Sequence, residues 1–169
     1  MNRSLENQLV EVLGAEVAVY EQLATIKTQE KEALVAFATP ELEACTKIQD
    51  LLTKKATEME SRRRRIVRTM AEARGLRKDD FTLREVVEWL SPETAKNVNA
   101  LGNELRNLFA EIARSQDQNA TLIQGATQYI RRLIDSLMAR TKQDPFAYGR
   151  SGFKATLKET MPGLLDRKA

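Results

Sequence analysis

Apolar residues recur along this chain at intervals of three and four, the signature of amphipathic helices. Leu5, Leu9, Val12, Val19, Leu23 and Ile26 form one row, with Glu16 interrupting it. Leu13, Val17, Tyr20 and Ala24 form a second row beside the first. A double row is wider than a two-stranded coiled-coil seam and suits a bundle. The pattern predicts a first helix from about Ser4 to Phe37. Thr39-Pro40-Glu41 then restarts the chain: Thr39 is expected to cap, Pro40 suits the first helical position, and Glu41 complements the positive end of the helix dipole.

The second helix is predicted to run to about Arg74, ending at Gly75. Its seam reads Leu42, Cys45, Gln49, Leu52, Ala56, Met59, Arg63, Ile66, Met70 and Ala73. Each of these two helices is about 50 Å long at 1.5 Å per residue, and so short a connection implies an antiparallel hairpin. Thr82 and Glu85 have capping-box spacing and open a short helix, Leu83 to Leu90. Its apolar load (Phe81, Val86, Val87, Trp89, Leu90) reads as a plug on one end of the hairpin, with Trp89 a core anchor.

Ser91-Pro92-Glu93 starts a last long helix, predicted to reach about Lys142. Its seam is Val98, Leu101, Leu105, Leu108, Ile112, Ser115, Asn119, Leu122, Ala126, Tyr129 and Leu133. Ser115 and Asn119 make it polar midway, and a seam Asn commonly fixes register. Beyond Asn119 the apolar face broadens, with Ile123, Ile130, Ile134 and Leu137 forming a second row. Gly125 and Ala126 flatten the surface, which lets another helix approach closely. Either these extra residues complete an internal core or they form a groove for an amphipathic helix. Asp144-Pro145 ends the helix. The expected organisation is all-α: residues 1–143 form an up-down helical bundle or coiled coil, and 144–169 an irregular, flexible basic tail.

Composition narrows the chemistry. The 169 residues contain no His and one Cys, Cys45. His is the commonest general acid–base near neutral pH, so its absence, with a single thiol, excludes the usual zinc sites and Cys–His pairs. There is no Gly-rich phosphate loop. No catalytic residue, metal site or cofactor is expected, and an unusual enzyme comes last among the readings. A lone Cys in the seam of the second helix reads as a small buried hydrophobe and fits a reducing cytoplasm. No apolar run is long enough to span a bilayer, and the early acids near Met1 do not resemble a secretion signal.

Charge adds one more candidate. The net charge is +3, and residues 40–80 carry eleven bases against eight acids. Arg62-Arg63-Arg64-Arg65 with Arg68 invites a nucleic-acid reading. Successive helical residues are about 100° apart, so these side chains point nearly all round the helix and form no single phosphate-tracking stripe. Glu58, four residues before Arg62, has ion-pair spacing. A solvated helix surface is the favoured reading.

The run Asn119-Ala-Thr-Leu-Ile-Gln-Gly125, followed by a helix and then Tyr148-Gly149-Arg-Ser-Gly152, resembles the FlgN family of flagellar export chaperones. Met161-Pro162-Gly163 extends the chain past that pattern. The resemblance implies a non-enzymatic cytoplasmic chaperone. It would bind the amphipathic C-terminal segments of hook–filament junction (hook-associated) proteins, prevent premature assembly and deliver them to the cytoplasmic domain of the export gate. Carried onto this chain, the client surface spans 119–137: Asn119, Leu122, Ile123, Ala126, Tyr129, Ile130, Leu133, Ile134 and Leu137. The Tyr-Gly turn, Tyr148 and Gly149, would dock on the gate. Two rivals remain: a self-associating structural coiled coil that buries the same stripe in a homodimer, and a nucleic-acid binder using Arg62–Arg68.

Overall fold

The structure, a computed structural model, describes residues 3–76 and 81–143, and side chains as far as Ala139. Its elements are α1 (Arg3–Ala36), α2 (Thr39–Glu72), α3 (Leu83–Val87) and α4 (Pro92–Gln143), with no strand among the described residues. The all-α hairpin, short helix and long final helix are as the periodicity predicts. The chain divides into two units, Met1–Ala126 and Thr127–Ala169, so the division falls inside α4.

The first unit holds the core. Leu9, Val12, Leu13 and Val17 of α1 meet Ile66, Val67 and Met70 of α2, Val86 of α3, and Val98 and Leu105 of α4. A second cluster joins Val19 and Leu23 to Leu52 and Ala56, with Ile112 of α4 packed against it. Both rows of α1 are therefore used: one helix packs against α2 and α4 at once, which requires the broad face seen in the sequence. Tyr20 and Phe109 add an edge-to-face contact, ring centroids 4.6 Å apart, between α1 and α4.

Both ends of the hairpin close by the same device. At the end of α2, Gly75 N–H donates to Glu72 O (2.9 Å) and Leu76 N–H to Ala71 O (3.1 Å), a Schellman pair, with Gly75 left-handed at φ +71°. At the end of α1, Phe37 N–H donates to Leu34 O (3.3 Å) and Ala38 N–H to Ala33 O (2.9 Å). Here the left-handed residue is Phe37, at φ +53°, where glycine would be unstrained. Because this turn absorbs the reversal, Ala38 is the cap position of α2 and makes no side-chain cap bond. Thr39 is thus the first helical residue, which corrects its expected role as the cap and makes Pro40 the second helical residue rather than the first.

The plug helix is shorter than expected, ending at Val87, but its capping box forms. Glu85 N–H donates to Thr82 Oγ1 (3.3 Å) and Thr82 N–H to Glu85 Oε2 (2.7 Å). Trp89 stacks edge-to-face on Phe81 at 4.8 Å, and the Arg74 guanidinium lies over the Trp89 ring at 5.4 Å. Arg74 also donates to Trp89 O at 2.6 Å, tying the segment to the end of α2. Gly102 is the backbone surface on which α3 rests: a methyl group there would meet Leu83 Cδ2 at 2.5 Å. At the start of α4 the buried Glu6 accepts from Ser91 N–H (3.3 Å) and Ser91 Oγ–H (2.7 Å). Burial works against that charge, but the hydrogen bonds from Ser91 and Thr94 outweigh it and hold the carboxyl below its ordinary value.

Candidate functional site

The interruptions in the seams turn out to be partners. Glu16, which breaks the α1 row, faces Arg63, which breaks the α2 seam; Nε donates to Oε1 at 3.0 Å. Burial pushes the Glu16 carboxyl up, and the adjacent guanidinium only partly offsets this. Arg62 approaches Glu11 of α1 at 3.8 Å, rather than Glu58, and Arg64 binds Glu60 at 2.8 Å. Three members of the arginine run are therefore matched to acids of the hairpin itself.

A second polar layer lies nearer the hairpin turn. Asn119 is buried, and its Nδ2 donates to Lys27 O (3.1 Å) and to Glu30 Oε2 (2.8 Å). Lys27 Nζ donates to the same Glu30 oxygen (3.1 Å) and to Gln49 Oε1 (2.9 Å). Three helices contribute their off-pattern residues to one level. Burial of Glu30 opposes its charge, yet the bonds from Asn119 and Lys27 keep its carboxyl below the usual range. Asn119 is thus engaged inside the bundle and is not part of the exposed face with which the sequence grouped it.

One turn on, Leu122 and Ala126 are half-buried and Ile123 is about half exposed, at 48%. Within the second unit, every side chain from Thr127 to Ala139 is exposed. Tyr129, Ile130, Leu133, Ile134, Leu137 and Met138 are each 44 to 62% open to solvent. Both apolar rows of the sequence therefore lie open there. Met138 extends the face by one position that the sequence reading left out, although its spacing of four from Ile134 signals it. Scattered exposed apolar residues are ordinary, but six on one face of one helical segment make a contiguous patch of the kind that marks an interaction site. Tyr148 and Gly149 lie outside the described residues.

Another apolar recess lies at the hairpin turn. It is an open recess of about 510 Å³ lined by Ala33, Ala36, Ala38, Ala44, Cys45 and Ile48 together with Gln29, Glu32 and Glu41. Cys45 is buried, as its seam position predicts, and burial raises its thiol above the ordinary value. Among the described residues no group of three acids or thiols is placed to hold a metal ion.

Four helices thus supply the core, and the last of them carries an open apolar face. A family model described as "FlgN protein" matches residues 1–156, nearly the whole length. The chain belongs to the FlgN family. No curated protein and no solved structure matches it. FlgN membership supports a role as a flagellar export chaperone in the general sense. For this FlgN-family chain, no helix among the described residues is long and apolar enough to cross a membrane.

Proposed function

We propose that this FlgN-family chain is a cytoplasmic chaperone that holds amphipathic C-terminal segments of hook-associated proteins against α4, prevents their premature assembly and brings them to the export gate. The exposure of Tyr129, Ile130, Leu133, Ile134 and Leu137 on one helical segment is the observation that carries this reading. Leu122, Ile123 and Ala126 would also contact the client. Asn119 would act differently, by fixing α4 on the hairpin. Tyr148, followed by Gly149, would dock on the cytoplasmic domain of the gate.

The energetics suit capture and release. A segment that folds on binding loses conformational entropy, and apolar burial must offset that loss. At about 25 cal/mol per Å², several hundred Å² of apolar contact contributes several kcal/mol before those costs. Moderate affinity follows, and client release would be driven from outside the chain.

The test is capture of purified hook-associated proteins by this chain. Ile130→Asp with Leu133→Asp places two charges in the apolar contact and should lower client affinity at least about 100-fold, since each buried unpaired charge costs several kcal/mol. Both sites are exposed, so the thermal midpoint should not move. Retained client binding by a folded double variant would refute the site. A concentration-dependent homodimer lost in the same variant would favour the self-associating coiled coil instead.

A further inference from the structure

We infer that the exposed face of α4 selects a helix whose own apolar face is bordered by acidic residues on both sides. This rests on the docking reading above and specifies the chemistry of the client.

At about 100° per residue, Tyr129, Leu133, Leu137, Ile130, Ile134 and Met138 sweep an apolar arc of about 180°. Arg132 falls about 60° outside the Tyr129 edge of that arc, and Arg131 about 20° outside the Met138 edge. Two neighbours in sequence thus stand on opposite borders of one face. The single acid among 127–143, Asp135, lies about 40° further round from Arg131, on the polar side. Arg131 and Arg132 are exposed, and neither is ion-paired among the described residues. Arg62, Arg63 and Arg64 of α2, by contrast, are each matched to an acid of the hairpin.

Charges that border an apolar seam set partner choice in helix pairing. An exposed guanidinium contributes little alone, but a helix laid across the arc excludes water from both borders and strengthens any charge pair formed there. A second copy of the same face is a poor occupant. Residues 127–143 carry four bases and one acid, so self-docking would set two positive borders against each other. An anionic membrane would meet the same charges and the same Leu-containing arc, and vesicle competition separates it from a protein helix. A protein helix with acidic borders fits the charges and the apolar arc together.

The experiment uses the full chain and two synthetic amphipathic peptides. They share one Leu/Ile face and carry either Glu or Lys at every bordering position. Fluorescence anisotropy should show the Glu-bordered peptide binding about tenfold tighter, with roughly threefold from each border, and the gap should narrow as salt rises. Arg131→Glu with Arg132→Glu should invert the order without moving the thermal midpoint. Equal affinities, unchanged in the double variant, would overturn the charge selection and leave the docking reading standing. Failure of both peptides and of a hook-associated C-terminal segment to bind would overturn both. A stable dimer in sedimentation that neither peptide dissociates, or phosphatidylglycerol vesicles that displace the Glu-bordered peptide, would assign the face to another occupant.

Discussion

Replacing Arg63 with Met keeps most of the side chain's volume and removes its charge, which isolates the role of the ion pair inside the hairpin. The Glu16 side chain is 5% exposed and that of Arg63 is 26% exposed, with Nε and Oε1 3.0 Å apart. At that distance two unit charges attract by roughly 5 kcal/mol at an effective dielectric constant of about 20. Breaking a buried pair from one side typically costs about 3–5 kcal/mol, because the remaining charge stays buried without compensation. Arg63 is a quarter exposed, so water already screens part of the attraction, and the expected loss is about 2–4 kcal/mol at neutral pH. Urea unfolding measures it, as a fall in midpoint at unchanged slope.

The sign of the pH dependence supplies a second readout. The Glu16 carboxyl sits above its ordinary value of 4.5 in the folded chain, and losing Arg63 raises it further. A group raised in the folded state stabilises most at low pH and loses that contribution as pH rises through its folded value. The deficit of Arg63→Met should therefore be small near 4.5 and grow toward neutrality. The double variant Glu16→Leu with Arg63→Met removes both charges and should recover wild-type stability or exceed it by about 1–4 kcal/mol. A loss below about 0.5 kcal/mol in the single variant would refute this account. So would a double variant as unstable as the single one.

Two other expectations concern the hairpin. Phe37→Gly relieves the left-handed strain at φ +53°, and Phe37 is 67% exposed, so little burial is lost; thermal unfolding should show a gain of about 0.5–1 kcal/mol, and a loss would mean the ring has contacts that outweigh the strain. Glu30 is held below 4.5 in the folded chain, so its contribution is complete above 4.5 and is lost as pH falls through the folded value. Glu30→Gln should flatten the decline of stability below pH 4.5, measured by urea midpoints across that range, and an unchanged slope would remove the group from the acid response.

Most of the fold is legible because periodicity is local. The double row of α1, the capping box of Thr82 and Glu85, and the glycine stop at Gly75 each depend on residues within a turn or two. Thr39 departs from its expected cap role for a reason of the same scale: the closing turn of α1 ends on Ala38 and places Thr39 already inside α2. The pairing of Glu16 with Arg63 was not legible, although both appear as seam breaks. One helix's pattern carries no information on which turn of another lies opposite. Asn119 shows the same limit, since a seam position is equally consistent with a core amide and a contact on a docking face. Its bonds to Lys27 and Glu30 decide the matter.

The two polar layers also explain why this bundle tolerates charges in its seams. Uniform apolar rows would distinguish registers of α2 on α1 only weakly, because one Leu or Ala packs much like another, and would leave the register to the short Phe37-Ala38 turn. A slide of seven residues would set Glu16 opposite Ala56 or Met70 and part Lys27 from Gln49. Each wrong register then buries a charge or an amide without its partner, at a cost of several kcal/mol. The same reasoning fixes α4. Asn119 can reach Lys27 O and Glu30 in one register only, which fixes that turn of α4 on the hairpin.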